Sequence, residues 1–265
     1  MNNYFVILAA GKGERLHPLT ENKPKCLVEL FGKSLLQWQI NAFHEFGIDD
    51  ITVVSGYKSE EIHSPYVTIL KNEKFDSTNM VESLFCAEDK LSTSTIVSYG
   101  DIIFESKVLK KIIESKDDFS VVIDKNWLDY WKIRFENPLN DAESLKINDD
   151  GFITNIGQKV TEINEIQGQY IGLMKFQNEG IKYLKSFYTN AKEQSRVGVN
   201  TLNPKVKFEN SYMTDLLNAL IDSGCKLRAV EVRNGWLELD SISDYKIYEK
   251  MFSDNTLEKI FSVRQ

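Results

Sequence analysis

Cysteine is scarce: Cys26, Cys86 and Cys225 are the only three, an odd number with no CxxC spacing, which excludes a disulfide framework and a zinc ribbon. They read as reduced thiols, and a cytoplasmic location is expected. Histidine is equally thin, with His17, His44 and His63 scattered and no HExxH or triad spacing, so neither a zinc hydrolase nor a histidine-based nucleophile is supported. No apolar run approaches the length of a membrane span, and "YFVILAA" lacks the basic leader and cleavage site of a signal peptide. Positive charge is also in deficit. With 32 Lys and Arg against 39 Asp and Glu the net charge is −7, which argues against nucleic acid or an anionic membrane as a partner. There is no internal repeat, no Pro-rich linker and no hexapeptide tail, so 265 residues at 42% hydrophobic are expected to form one unit, residues 1–265.

What is present begins with alternation. From Tyr4 to Asp124, short apolar runs ("YFVILA", "ITVVSG", "VTILKN", "TIVSYG", "FSVVID") alternate with helical patterns, the signature of a parallel α/β sheet. Ser34 is placed to cap a helix that runs to Phe46 and stops at Gly47. After Asp124 the texture changes to a tryptophan-rich patch, a hairpin turning at Asp150-Gly151, a strand in "GQYIGLMKF", helices over Glu179 to Lys192 and Met213 to Asp222, strands "LRAVEV" and "WLELD", and a last helix from Ser241 to Phe252. The expected fold is α/β: a Rossmann-like, mostly parallel mixed sheet flanked by helices, with a nucleotide-binding half over 1–124 and a small β-rich acceptor lobe within 125–265. The apolar face of the last helix (Ile242, Tyr245, Tyr248, Phe252) fits a homodimer contact or a packing face on the sheet, and the sheet is favoured.

One acidic chain concentrates cations in "LAAGKGERLHPLTENKPKCL", Leu8 to Leu27, directly behind the first strand. Gly11 and Gly13 allow successive backbone amides to form a nest for phosphate. Arg15 offers a planar bidentate phosphate donor and Lys25 a mobile point charge, while Pro18 and Pro24 stiffen the segment between. The glycine spacing matches neither the P-loop nor the dinucleotide fingerprint. Triphosphate chemistry also asks for a hard divalent cation on a few carboxylates, and Asp101 and Asp240 both stand at expected strand ends. Glu238, two residues before Asp240 on the same strand face, is a candidate neighbour to that pair.

The stretch resembles the signature of the nucleotidyltransferases that join a nucleoside monophosphate to a phosphorylated sugar or alcohol, and the resemblance extends through "YGD" at Tyr99–Asp101 and "WLELD" at Trp236–Asp240. It implies a donor-binding set of Leu8, Ala9, Ala10, Gly11, Lys12, Gly13, Glu14, Arg15, Lys25, Gly100 and Asp101, with Arg15 on the outer phosphates, Lys25 near the reacting phosphate, and Mg²⁺ on Asp101 and Asp240. Catalysis is then expected from Arg15, Lys25, Asp101 and Asp240 with no enzyme nucleophile, because an acceptor phosphate is already ionised. The "TNM" of Thr78, Asn79 and Met80 resembles the choline-phosphate and related cytidylyltransferases, which points to CTP; a helix-capping role for Thr78 or Asn79 is the competing reading.

"DKNWLDYWKIRFENPLNDAESLKI" and "EIQGQYIGLMKF" resemble the cytidylyltransferases that make CDP-linked glutamine for capsular phosphoramidate. The implied acceptor is phosphoglutamine, and the expected pocket residues are Lys125, Trp131, Arg134, Glu143, Gln169, Tyr170 and Tyr212, with Arg134 suited to a carboxylate and Glu143 or Asp141 to an ammonium. Trp127, Tyr130, Trp131, Tyr170 and Tyr212 would be the rings for a choline cage, though Lys125, Lys132 and Arg134 among them weigh against it. Phosphocholine, 2-aminoethylphosphonate and sugar-1-phosphate remain rival acceptors, and a non-catalytic nucleotide-binding module is the rival from another class.

Overall fold

Each of Phe5, Ile7 and Ala9 packs into one apolar core while Val6 and Leu8 pack into another, so the first strand, Tyr4–Ala9, is buried on both faces. That is why it reads as an unbroken apolar run rather than an alternating one. In a computed structural model, which describes residues 3–263, it lies within a nine-stranded sheet. The order across the sheet is Thr68–Lys71, Ile51–Ser55, Tyr4–Ala9, Ser94–Tyr99, Gln169–Gln177, Phe119–Asp124, Leu227–Val232, Phe152–Lys159, Glu143–Ile147. The first four strands of that order are mutually parallel, and Gln169–Gln177 runs against both of its neighbours. Leu227–Val232 is parallel to Phe119–Asp124, and the terminal hairpin continues the sheet antiparallel.

The expected β-rich lobe is thus the far end of the same sheet. Phe119–Asp124, from the first half of the chain, sits between two strands of the second half.

Helices cover both faces, as a sheet buried on both sides requires. Leu35–His44, Ser106–Glu114, Trp127–Arg134 and Ile242–Ser253 contribute to one core. Met80–Phe85, Glu179–Ser195 and Met213–Asp222 contribute to the other. Ser34 accepts from the Gln37 amide and Ser241 from the Asp244 amide, so both hydroxyls start the helices that follow them. In the last helix Tyr248 is fully buried, whereas Phe252 is half-exposed with its ring 5.0 Å from that of Phe31. Among the described residues no helix is long and apolar enough to cross a membrane.

One feature that positions the site is small. Ile102–Phe104 pairs antiparallel with Trp236–Glu238, with Ile102 opposite Glu238, and the Leu239 amide donates to the Asp101 carbonyl at 2.9 Å. This ribbon draws Asp101 and Asp240 to one place.

Candidate active site

The glycine loop leaves the first strand at the carboxyl end of the parallel strands, where ligands of open α/β sheets collect. Gly13 sits at φ +64°, and a Cβ there would meet the Lys25 Cβ at 3.1 Å, so both the turn and the close approach of Lys25 depend on glycine. Its carbonyl accepts from the Thr20 hydroxyl at 2.9 Å.

Lys25 is the centre of the arrangement. Its ammonium donates to Asp101 Oδ2 at 2.7 Å and to Asp240 Oδ1 at 2.9 Å, while Arg15 reaches Asp240 Oδ2 at 2.7 Å from a side chain 72% exposed. Burial works against the lysine's charge, but Asp101 and Asp240 more than offset it and hold the ammonium above its ordinary range. Asp101 Oδ1 is buried with no hydrogen-bond partner among the described residues. An unpartnered carboxylate oxygen beside a second carboxylate fits a hard divalent cation. No group of three or more His, Cys, Asp or Glu side chains converges as a metal cage among the described residues, so the protein would offer two carboxylates and leave the other positions to phosphate or water.

A cavity of about 510 Å³ opens over this cluster and is lined by Leu8, Ala9, Ala10, Gly11, Lys12, Gly13, Glu14, Arg15, Lys25, Thr78, Asn79, Met80, Gly100, Asp101 and Asp240. Every residue expected at the donor and the metal lies on this one wall. Cys26, Phe75, Asp76, Ser83 and Tyr99 line it too; Cys26 and Tyr99 lie within the stretches that carry the resemblance, whereas Phe75, Asp76 and Ser83 carry no sequence signal that points to them. Thr78 and Asn79 spend their side chains internally: Thr78 Oγ1 donates to the Lys74 carbonyl and accepts from Asn72, and Asn79 Oδ1 accepts from the Met80 amide as a helix cap. The capping reading therefore describes Asn79, while Thr78 ties the preceding turn, and what remains for a ligand is the cavity surface they present.

A second cavity, of about 200 Å³, adjoins the first across Met80 and Tyr99, which line both. Trp131, Glu143, Gln169, Tyr170 and Tyr212 line it, together with Asp141, Trp236 and Glu238. Two expected residues do not. Arg134 is a correction: its side chain is 1% exposed and its guanidinium is committed to Asp244 and Glu238, so it cannot meet a carboxylate arriving from solvent. Lys125 leans outward to Glu231 at 3.7 Å and lines neither cavity. Trp127 and Tyr130, drawn as rings of a cage, are core residues.

The second cavity is acidic and aromatic, with no Lys, Arg or His on its wall among the described residues. Partial burial in the cleft, then Asp141, Asp215 and Glu238 nearby, push the Glu143 carboxyl up to about 7 although the residue reaches solvent. Burial raises Glu238 to about 6, with Arg134 pulling against that and Asp101 and Asp240 adding to it. Trp236 had a signal in the sequence: the period of two that carries Glu238 onto the face of Asp240 carries Trp236 there as well.

A model of the MobA-like NTP transferase domain family matches residues 5–131. CTP:phosphoglutamine cytidylyltransferase of Campylobacter jejuni subsp. jejuni is 37% identical over 254 residues, which span 91% of this chain and 97% of that protein. Among solved structures, CTP:phosphocholine cytidylyltransferase from Streptococcus pneumoniae matches with a TM-score of 0.70 at 22% identity, over 95% of this chain and 100% of that one. The inositol-1-phosphate CTP transferase from T. maritima matches with a TM-score of 0.68 at 18% identity, over 99% and 98% of the two chains. At these identities the two structures speak for the fold alone.

Proposed function

Since the chain belongs to the nucleotidyltransferase family, as its relation to a cytidylyltransferase over nearly its whole length requires, we propose that it transfers CMP from CTP to phosphoglutamine, with Mg²⁺, releasing pyrophosphate. The observation that carries this reading is the seam between the two cavities: Met80 and Tyr99 are shared by both, and the Lys25, Asp101 and Asp240 cluster lines the larger one. A donor in the larger cavity and an acceptor in the smaller would meet there.

An oxygen of the acceptor phosphate attacks the α-phosphorus in line; the new P–O bond forms as the bond to pyrophosphate breaks, and no proton has to be removed from the nucleophile. Lys25, freed from the aspartates, neutralises charge on the reacting phosphate, and Arg15, already exposed, turns to the outer phosphates. Asp101 and Asp240 would hold Mg²⁺, which would supply Lewis-acid stabilisation of the phosphate oxygens. Glu143 and Asp141 face the acceptor's ammonium, and with Arg134 removed from the cavity the acceptor's carboxylate is left to the open mouth beside Tyr212, which is 54% exposed. The CDP-linked product would serve cell-surface polysaccharide modification from the cytoplasm, in line with the resemblance to the capsular phosphoramidate enzymes.

The same wall supports a second reading. Trp131, Tyr170, Tyr212 and Trp236 with three carboxylates, and no cation among the described residues, suit a trimethylammonium, so phosphocholine is the alternative acceptor. Pyrophosphate release measured with CTP, UTP, dTTP and ATP against phosphoglutamine, phosphocholine, 2-aminoethylphosphonate and glucose-1-phosphate separates them. Turnover confined to CTP with phosphoglutamine is the expected result; turnover with phosphocholine alone would replace the acceptor, and CTP binding without any turnover would leave a nucleotide-binding module.

A further inference from the structure

Arg134 is the most completely buried cation near the site, and all of its ion pairs go to one segment of chain. Its Nε donates to Asp244 Oδ1 at 2.9 Å, a terminal nitrogen reaches Asp244 Oδ2 at 3.3 Å, and the other donates to Glu238 Oε2 at 2.5 Å. Asp244 in turn accepts at Oδ2 from the Asp240 amide at 3.2 Å, the Ser241 amide at 2.8 Å and the Ser241 hydroxyl at 2.9 Å. The fork therefore grips both ends of 238–240, one by a side chain and the other through a carboxylate that holds the backbone. Tyr130, one turn before Arg134 on the same helix, accepts from the Glu238 amide at 2.9 Å, and Tyr248, one turn after Asp244, donates to the Glu238 carbonyl at 2.8 Å.

The segment so held carries two functional directions. Asp240 points to Lys25 and Arg15, and Glu238 lines the acceptor cavity. Its own pairing across the ribbon extends only over Trp236–Glu238, so beyond Glu238 the sheet no longer fixes it, apart from the Leu239 amide on Asp101. We infer that Arg134 is a positioning residue for this reaction: by joining Glu238 to Asp244 it sets the direction of the Asp240 carboxylate toward the metal and of the Glu238 carboxylate toward the acceptor, without touching either ligand. Lysine cannot replace it, because one ammonium on a flexible stem cannot hold a bidentate carboxylate and a second carboxylate in fixed directions at once. The inference rests on the reading of Asp240 as a metal-holding carboxylate.

The test is Arg134→Lys beside Asp244→Asn, with folding checked by thermal melting and Mn²⁺ binding read by EPR in the presence of CTP. Loss of a partner that orients a metal ligand typically weakens metal binding by about ten- to a hundredfold, and this is the expected effect in both variants. A drop in kcat of about a hundredfold is expected with it, as for a misplacement of about 1 Å at the reacting centre. CTP affinity without metal should stay within about twofold, because Arg134 lines neither cavity. Folded Arg134→Lys with wild-type Mn²⁺ affinity and kcat would reduce the arginine to a packing group and overturn the inference. Should that variant not fold, Asp244→Asn decides in the same way. Wild-type protein that binds no Mn²⁺ with CTP would instead remove the reading of Asp240, and the inference would fall with it.

Discussion

Replacing Lys25 by methionine keeps the stem and removes the charge that joins Asp101 to Asp240. At 2.7 and 2.9 Å and an effective dielectric near 20, each contact carries a gross attraction of about 6 kcal/mol, most of it offset by the cost of taking the ions out of water. What the variant leaves is two carboxylates, each with a side chain 17% exposed, facing one another with only Arg15 at the outer edge. A loss of about 3 kcal/mol of stability at neutral pH follows from leaving paired charges unpaired. The same geometry makes a sharper statement about metal: in the free protein the ammonium holds one oxygen of each aspartate, Asp101 Oδ2 and Asp240 Oδ1, and its charge repels a divalent cation approaching the unpartnered Asp101 Oδ1. Lys25→Met should therefore bind Mg²⁺ without nucleotide, and at a concentration of 100 times its dissociation constant the ion returns about 2.7 kcal/mol. For a chain of this size that is a rise in Tm of about 5–10 °C. Wild-type protein in the same Mg²⁺ series, without CTP, should shift by no more than about 1 °C by the same relation. Differential scanning fluorimetry across the series reads both curves. Equal shifts in wild type and variant would show that Lys25 does not compete with metal and would refute the argument, whatever happens to turnover.

Asp101→Asn and Asp240→Asn retain an oxygen for Lys25 and should fold, yet lose at least about a thousandfold in kcat, and turnover within tenfold of wild type in either would remove the metal assignment. The Glu143 carboxyl, raised to about 7, must be ionised to attract an ammonium, so kcat/KM for the acceptor should climb as pH passes through 7, and Glu143→Gln should flatten that climb. Its stability effect has the opposite sense: the raised acid costs the fold above about pH 7 and nothing below about pH 4.5, so Glu143→Gln should be more stable than wild type at pH 8 and equal to it at pH 4, read by urea denaturation. Gly172 lies at φ +81° with a Cβ position 2.7 Å from the Tyr99 ring; Gly172→Ala should cost about 1–3 kcal/mol and raise both the CTP Kd and the acceptor KM, because Tyr99 lines both cavities. An unchanged CTP Kd in a folded Gly172→Ala protein would argue against that shared wall.

How much of this was legible can be seen residue by residue. The strands at Tyr4, Ile51, Ser94 and Phe119 announce themselves because burial on two faces leaves short runs rich in apolar and β-branched side chains, with small polar residues such as Thr52, Ser98 and Ser120 buried among them, and the hairpin does so through Gly151 at φ +79°. The loop from Leu8 to Lys25 is local in sequence, so its chemistry can be read in one glance. Arg134 could not be: its partners lie 104 and 110 positions away, and nothing near it tells a buried fork from a cation aimed at a ligand. Its helix, Trp127–Arg134, buries Trp127, Tyr130, Trp131 and Arg134 at helical spacing, a face whose last member is charged and therefore reads as an exposed end. Of the short ribbon, Trp236–Glu238 falls within the expected strand "WLELD", whereas Ile102–Phe104 is too short for periodicity to mark and only its long-range pairing makes it a strand. Helix Ser106–Glu114 lies outside the expected elements even though Val108, Leu109 and Ile112 carry its period.

That ribbon also sets a clock during synthesis. Lys25 and Asp240 are 215 positions apart, so at about 5–20 residues per second roughly 10–40 s separate the synthesis of the glycine loop from that of the second carboxylate its lysine holds. Throughout that interval the chain carries Gly13, Arg15 and Lys25 without the second of the two aspartates that the lysine joins. The pair is complete only after Trp236–Glu238 has been made, because it is this strand, set against Ile102–Phe104, that brings Asp240 beside Asp101.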